Sequence, residues 1–165
     1  MQWFDWMTAG IILAVAIVEF VRARTSGGFG QVLFDAIALI IAALGSTWLA
    51  QPLGSVIGGE RWLLTLILFA VLSIGVLIIS RVLFSFTEWS SDSFDSLLSI
   101  LFGIACGWII ANMVLRIIIL KQGDLGPVNA MMANAPIARE VFQFRLWNSL
   151  IEWFSNLNLG PEVDY

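Results

Sequence analysis

The sequence predicts an all-α integral membrane protein: a four-transmembrane-helix bundle followed by a C-terminal amphipathic helix at the membrane interface. Of 165 residues, 59% are hydrophobic and only 12% charged, with eight Trp, twelve Phe and a mean hydropathy of +0.92, well above the apolar share of a soluble domain. The apolar residues fall into four runs, Phe4 to Val21, Val32 to Leu49, Trp62 to Phe84 and Leu97 to Leu120. Each run is close to the roughly 20 residues that a helix rising ~1.5 Å per residue needs to cross a ~30 Å hydrocarbon layer. The runs are continuously apolar rather than alternating, so a transmembrane barrel is excluded.

The first run resembles a signal peptide in length only. It lacks a basic leading region, carries Asp5 near its start and reaches Arg22 without an Ala-x-Ala-like site, so it is expected to be a retained span. Short polar, glycine-rich or serine-rich segments follow each of the first three spans: RARTSGGFGQ, QPLGSVIGGER and SFTEWSSDSFD. These compositions turn a chain at a membrane surface. The four-span domain is therefore assigned to 1–120, with a loop over 121–136 containing Gly and Pro breaks. Over 137–159, Ile137, Val141, Phe144, Trp147 or Leu150, Ile151 and Phe154 recur at three to four residues, with Arg139, Glu140, Gln143, Asn148, Glu152 and Ser155 on the other side. This predicts an amphipathic helix that lies on the bilayer or caps the bundle, its Trp147 and Trp153 at headgroup depth. A fifth span would place Arg145 and Glu152 at mid-depth, at a cost of a few kcal/mol each. An acidic tail closes the chain at 160–165.

The dipeptide Phe-Asp occurs at Phe4-Asp5, Phe34-Asp35 and Phe94-Asp95, each at or just inside the start of a span. An acid there satisfies free N–H groups and complements the helix dipole. With four spans, Glu19, Arg22, Arg24, Asp35, Arg81 and Asp95 gather at one surface of the bundle. That cluster either anchors helix ends at the headgroups or forms a partner-binding surface. In the fourth span Ser99, Gly103 and Gly107 follow one another at intervals of four, a small-residue ridge that lets a second backbone approach closely in lipid. The ridge serves either within the bundle or between subunits. Asn112 is expected to hydrogen-bond a neighbouring helix, with Arg116 one turn later.

Other chemistry lacks its parts. There is no His, and the single Cys106 lies in the fourth span as a small apolar residue. Zinc sites, Cys-His and Ser-His-Asp catalysis and haem ligation by His are thereby left without ligands or bases. No cofactor is expected. The net charge of −4 includes no basic block of the kind that binds nucleic acid.

The chain resembles the colicin V production protein family of small bacterial inner-membrane proteins, and the resemblance covers most of its length. The opening Trp3-Phe4-Asp5 is similar to that family's aromatic, one residue, then Asp; Arg22, Arg24, Gly28 and Phe29 approximate its basic residue, glycine and aromatic before span two. Asp95, Leu98, Gly103 and Gly107 sit where the family has an Asp and then glycines four apart, and Asn134-Ala135-Pro136-Ile137 looks like its closing segment. Ser99 stands in place of a glycine, Cys106 where an Arg is frequent, and the first loop carries the extra RTSGG.

The resemblance implies a role in toxin production or export and in envelope maintenance, without catalytic residues. The family's domain also occurs fused ahead of an extracytoplasmic protease; with so little chain after the amphipathic helix, no protease domain is expected here. Two functions stay open. One is a non-enzymatic accessory protein in which the lipid bilayer, a membrane-protein partner or further copies of the chain are the contacts. The other is a small oligomeric transporter or channel with Asp35, Asp95 and Arg81 at a polar entry. An enzyme would call for paired acids or a His within the bilayer, whereas Asp35 and Asp95 lie near its edge. Arg22 and Arg24 after the first span favour termini outside the cytoplasm, although Arg61, Lys121, Arg139 and Arg145 lie on the other side.

Overall fold

The computed structural model describes residues 2–26, 28–87, 95–123, 131–132 and 134–144. These form α1 (Trp3–Ser26), α2 (Gly28–Ile57), α3 (Arg61–Thr87), α4 (Asp95–Gln122) and α5 (Pro136–Gln143). No strand occurs among the described residues. The first four helices are each long and apolar enough to span a membrane.

The helices overrun the segments expected to be loops. α1 continues to Ser26 and α2 begins at Gly28, and between α2 and α3 only Gly58 to Glu60 lie outside a helix. Most of RARTSGGFGQ and QPLGSVIGGER is thus helical. A polar helical turn is satisfied equally well by its own hydrogen bonds and by water, so polarity marks the membrane edge and not the helix end. The reversals fall where positive φ is needed, at Gly28 (φ 65°) and Gly58 (φ 72°). The Gly58 N–H closes α2 on the Gly54 carbonyl at 3.0 Å. Pro52 sits in the extension of α2, where it leaves the Trp48 carbonyl without its usual donor.

Specific contacts fix the topology. Gly103 faces Ala16 and Glu19 while Gly107 faces Ile12, so α4 runs antiparallel to α1. Asp35 meets Ser80, and Gly45 meets Leu72, so α2 and α3 are antiparallel too. The Cys106 thiol approaches the Val32 carbonyl at 3.9 Å and Arg116 reaches Thr47, so α2 and α4 are parallel neighbours. α1 packs chiefly on α4 and α2 chiefly on α3, with the α2–α4 contact joining the pairs.

The interior divides into two blocks. Val32, Ala36, Leu39 and Cys106 fill one half, and Phe4, Ala111, Leu115, Met132, Ala135, Ala138 and Val141 the other. The outer faces are apolar as well: Leu13, Ile17, Ile41, Leu44, Val71, Ile74, Ile78, Leu97 and Leu101 are all exposed. Water does not tolerate a contiguous apolar surface of that extent, whereas lipid is its natural solvent. The chain is a multi-pass membrane protein.

α5 is tucked against α1 and α4 with Ala138 and Val141 buried. Its extent differs from expectation. Phe144 is the one non-glycine residue with positive φ (52°) among the described residues, and its N–H bonds the Glu140 carbonyl at 2.9 Å, which ends the helix at Gln143. The rest of the helix expected over 137–159, and the acidic tail, lie outside the described residues.

Candidate functional site: a charged helix-end network

At the end of the bundle where α1 and α3 finish and α2 and α4 begin, Arg22 lies between two acids. Its Nη1 donates to Glu19 Oε1 at 2.7 Å, and its Nη2 faces Asp35 Oδ2 at 3.2 Å. Asp35 is fully buried, and its other oxygen accepts a hydrogen bond from the Ser80 hydroxyl at 2.5 Å. Three helices, α1, α2 and α3, therefore share one polar network. The grouping has an energetic reason: a buried carboxylate is costly unless paired and hydrogen-bonded, and Arg22 and Ser80 supply both. Each acid keeps one buried oxygen without a hydrogen bond among the described residues, Oε2 of Glu19 and Oδ2 of Asp35, the latter held by the charge of Arg22 alone.

The six charged residues expected at this end do not form a single cluster. Glu19, Arg22 and Asp35 make the network. Arg24 and Asp95 line a separate cavity of about 180 Å³ with Phe20, Ala23, Gly28 and Ser99. The Arg24 guanidinium there stacks over the Phe20 ring at 4.4 Å. Arg81, exposed beside Ser80, makes no ion pair among the described residues but lies within electrostatic reach of Glu19. Asp95 is the first residue of α4, as its reading as a helix-start acid requires. Asp35 departs from that reading because α2 starts at Gly28, about two turns earlier.

The ridge of α4 packs inside the chain. A Cβ added at Gly107 would lie 2.8 Å from both Cα and O of Ile12, and one at Gly103 would lie 3.2 Å from Cα and O of Ala16. Ser99 continues the stripe, buried, its hydroxyl returned to the Asp95 carbonyl at 2.5 Å.

Asn112 lies toward the opposite end, where its Nδ2 donates to the Val141 carbonyl at 2.9 Å and the Phe142 carbonyl at 3.4 Å, in the last turn of α5. The other end of α5 is held by Asp5. Its Oδ1 accepts the Ile137 N–H at 2.9 Å and the Ala138 N–H at 3.2 Å, and its Oδ2 accepts the Gln2 N–H at 3.1 Å. Ala135, at the N-cap position of α5, has no side chain to do this, so a residue of α1 caps the helix from outside. The repeated Phe-Asp and the aromatic-x-Asp opening were the sequence signals for Asp5, and both pointed to α1 rather than α5. Ser80 carried no signal at all.

Among the described residues no group of three or more Cys, Asp or Glu is placed to hold a metal. The fold and the network together define a four-span helical membrane protein with charged side chains joined at one end. No family model matches the chain, and neither the curated proteins nor the solved structures contain a match to it.

Proposed function

We propose that the chain is a non-enzymatic protein of the bacterial inner membrane, of the colicin V production type, that supports toxin production or export or envelope maintenance by holding a membrane-protein partner. The observation that carries this reading is the Arg24–Asp95 cavity, at the same end of the bundle as the Arg22 network. A cation and an acid lining one cavity suit a partner segment that presents charges of both signs. Arg22 and Arg24, in the closing turns of α1, favour the cytoplasm for this end and the outside for the termini.

The test is purification of the full chain from its native membrane in mild detergent, with mass spectrometry of what accompanies it. A stoichiometric membrane protein, reduced about tenfold by Arg24→Glu at unchanged membrane levels, is the expected result. A homogeneous oligomer without a partner, conducting solutes in liposomes, would replace this reading with a transporter.

A further inference from the structure

A second cavity, of about 280 Å³, opens at the other end of the bundle and differs in character from the first. It is lined by Thr47 of α2, Arg61 and Thr65 of α3, Arg116 and Leu120 of α4, and Phe142 of α5. Its donors are almost wholly cationic. The Thr47 hydroxyl gives its proton to the Ala43 carbonyl at 2.8 Å, and the Thr65 hydroxyl gives its own to the Arg61 carbonyl at 2.8 Å. What remains is the N–H groups of the two guanidiniums. Arg116 uses one of its five on Thr47 Oγ1 at 3.2 Å. Neither Arg61 nor Arg116 has an ion pair among the described residues, and the nearby Glu60 carboxylate accepts the Trp62 indole N–H instead.

The cavity lies near the helix ends, the level at which lipid headgroups meet a membrane bundle. Arg61 opens α3, and Arg116 lies six residues (122 − 116) before the end of α4, about 9 Å along the axis. Lys121 sits over the Trp62 ring at 5.1 Å at the same level, a basic and aromatic pair of the kind found at a membrane boundary. Apolar side chains share the cavity with the charges: Ile119 and Leu120 line it between Arg116 and the end of α4, and inward of Arg61 the outer face of α3 exposes Leu63 and Leu66.

We propose that this cavity binds the phosphate group of an anionic phospholipid, with Arg61 and Arg116 as its ligands. Two guanidiniums that form no ion pair among the described residues match the oxygens of a phosphodiester, which they bind with forked, charge-assisted hydrogen bonds. Basic pockets between membrane helices hold lipid headgroups at the cytoplasmic face of other proteins, and in the proposed orientation the same chemistry acts here at the opposite face. The apolar walls suit the glycerol and the first carbons of the acyl chains. The α5 end of the pocket is held in place by Asn112, so the site is complete only with α5 docked.

The experiment is native mass spectrometry of the full chain in detergent supplemented with phosphatidylglycerol or phosphatidylcholine, and with inorganic phosphate in a separate arm. Wild type is expected to retain phosphatidylglycerol about tenfold better than phosphatidylcholine, and Arg61→Gln and Arg116→Gln are each expected to remove that preference. The exposed Arg139, outside the cavity, serves as control, and Arg139→Gln retains it. Arg61 is itself exposed, so its variant reports on binding even where Arg116→Gln fails to fold. Displacement of phosphatidylglycerol by millimolar inorganic phosphate would support recognition of the phosphate group; a thermal shift with inorganic phosphate and none with phosphatidylglycerol would assign the site to the free anion and overturn the proposal. Equal retention of both lipids, or phosphatidylglycerol held equally by Arg61→Gln and wild type, would overturn the proposal.

Discussion

Asp5 and Asn112 hold α5 at its two ends, and both belong to other helices. A cap of this kind contributes about 1–2 kcal/mol. Asp5→Ala is therefore expected to release α5, while Asp5→Asn, whose amide oxygen still accepts, retains most of the attachment. Maleimide labelling of a Cys placed at Ala138 reads this directly, because Ala138 is fully buried and so is the single native Cys106. Faster labelling with Asp5→Ala than with Asp5→Asn is the expected order; equal rates would show that packing alone holds the helix. Little of this was legible beforehand. Helix-start chemistry made Asp5 visible as an acid with amides to satisfy, but its partners lie 132 and 133 residues away, and no local spacing points to them. Asn112 was readable as a residue bonding a neighbouring helix, since an amide in an apolar run needs a partner; which helix supplies it depends on how the chain folds back.

Between elements, close approach is decided by the absence of a side chain. Gly107 has no room for a Cβ, with backbone atoms of α1 at 2.8 Å, whereas at Gly103 the nearest stand at 3.2 Å and at Gly75 nothing lies within 4 Å. Gly107→Ala must push α1 off α4 and is expected to cost about 1–3 kcal/mol. Gly103→Ala costs less, and Gly75→Ala is expected to stabilise by about 0.5–1 kcal/mol, since an unhindered helical glycine gives up backbone entropy for nothing. Thermal unfolding of the three variants in one detergent checks the order, and a Gly75→Ala loss as large as that of Gly107→Ala would contradict it. The stripe was plain in the sequence because small residues every fourth position can lie on one face. Its partner was not, as the same stripe serves a second copy equally well. Helix ends were misjudged for a related reason: composition tells where the membrane stops, and α2 continues past that point to Ile57.

For the molecule as a whole, Arg22 is the hinge of the charge balance at one end, facing an acid on its own helix and another on α2. Arg22→Met would leave Glu19 and Asp35 without their cation and is expected to cost about 3 kcal/mol or more. Asp35→Asn keeps an acceptor for Ser80 and leaves Arg22 with Glu19, so a smaller loss is expected. Chemical unfolding that ranked Asp35→Asn as the more damaging would argue against this account of the network. Counting four spans was enough to bring these charges to a common surface. It could not divide them, because whether an acid sits inside with Arg22 or beside a cavity with Arg24 depends on helix rotation, and continuously apolar spans fix rotation poorly.

The external capping of α5 also bears on how the protein comes into being. During synthesis α1 enters the membrane long before α5 exists, so the Asp5 carboxylate must wait for amides made 132 residues later. Until they arrive, the nascent chain carries an acid short of partners and, around Phe4, Ala111 and Leu115, an apolar surface that α5 has yet to cover. Completion of the fold is thus a single late closure that links the earliest span to a segment beyond α4, and a chain stalled before it exposes the signs of its own immaturity.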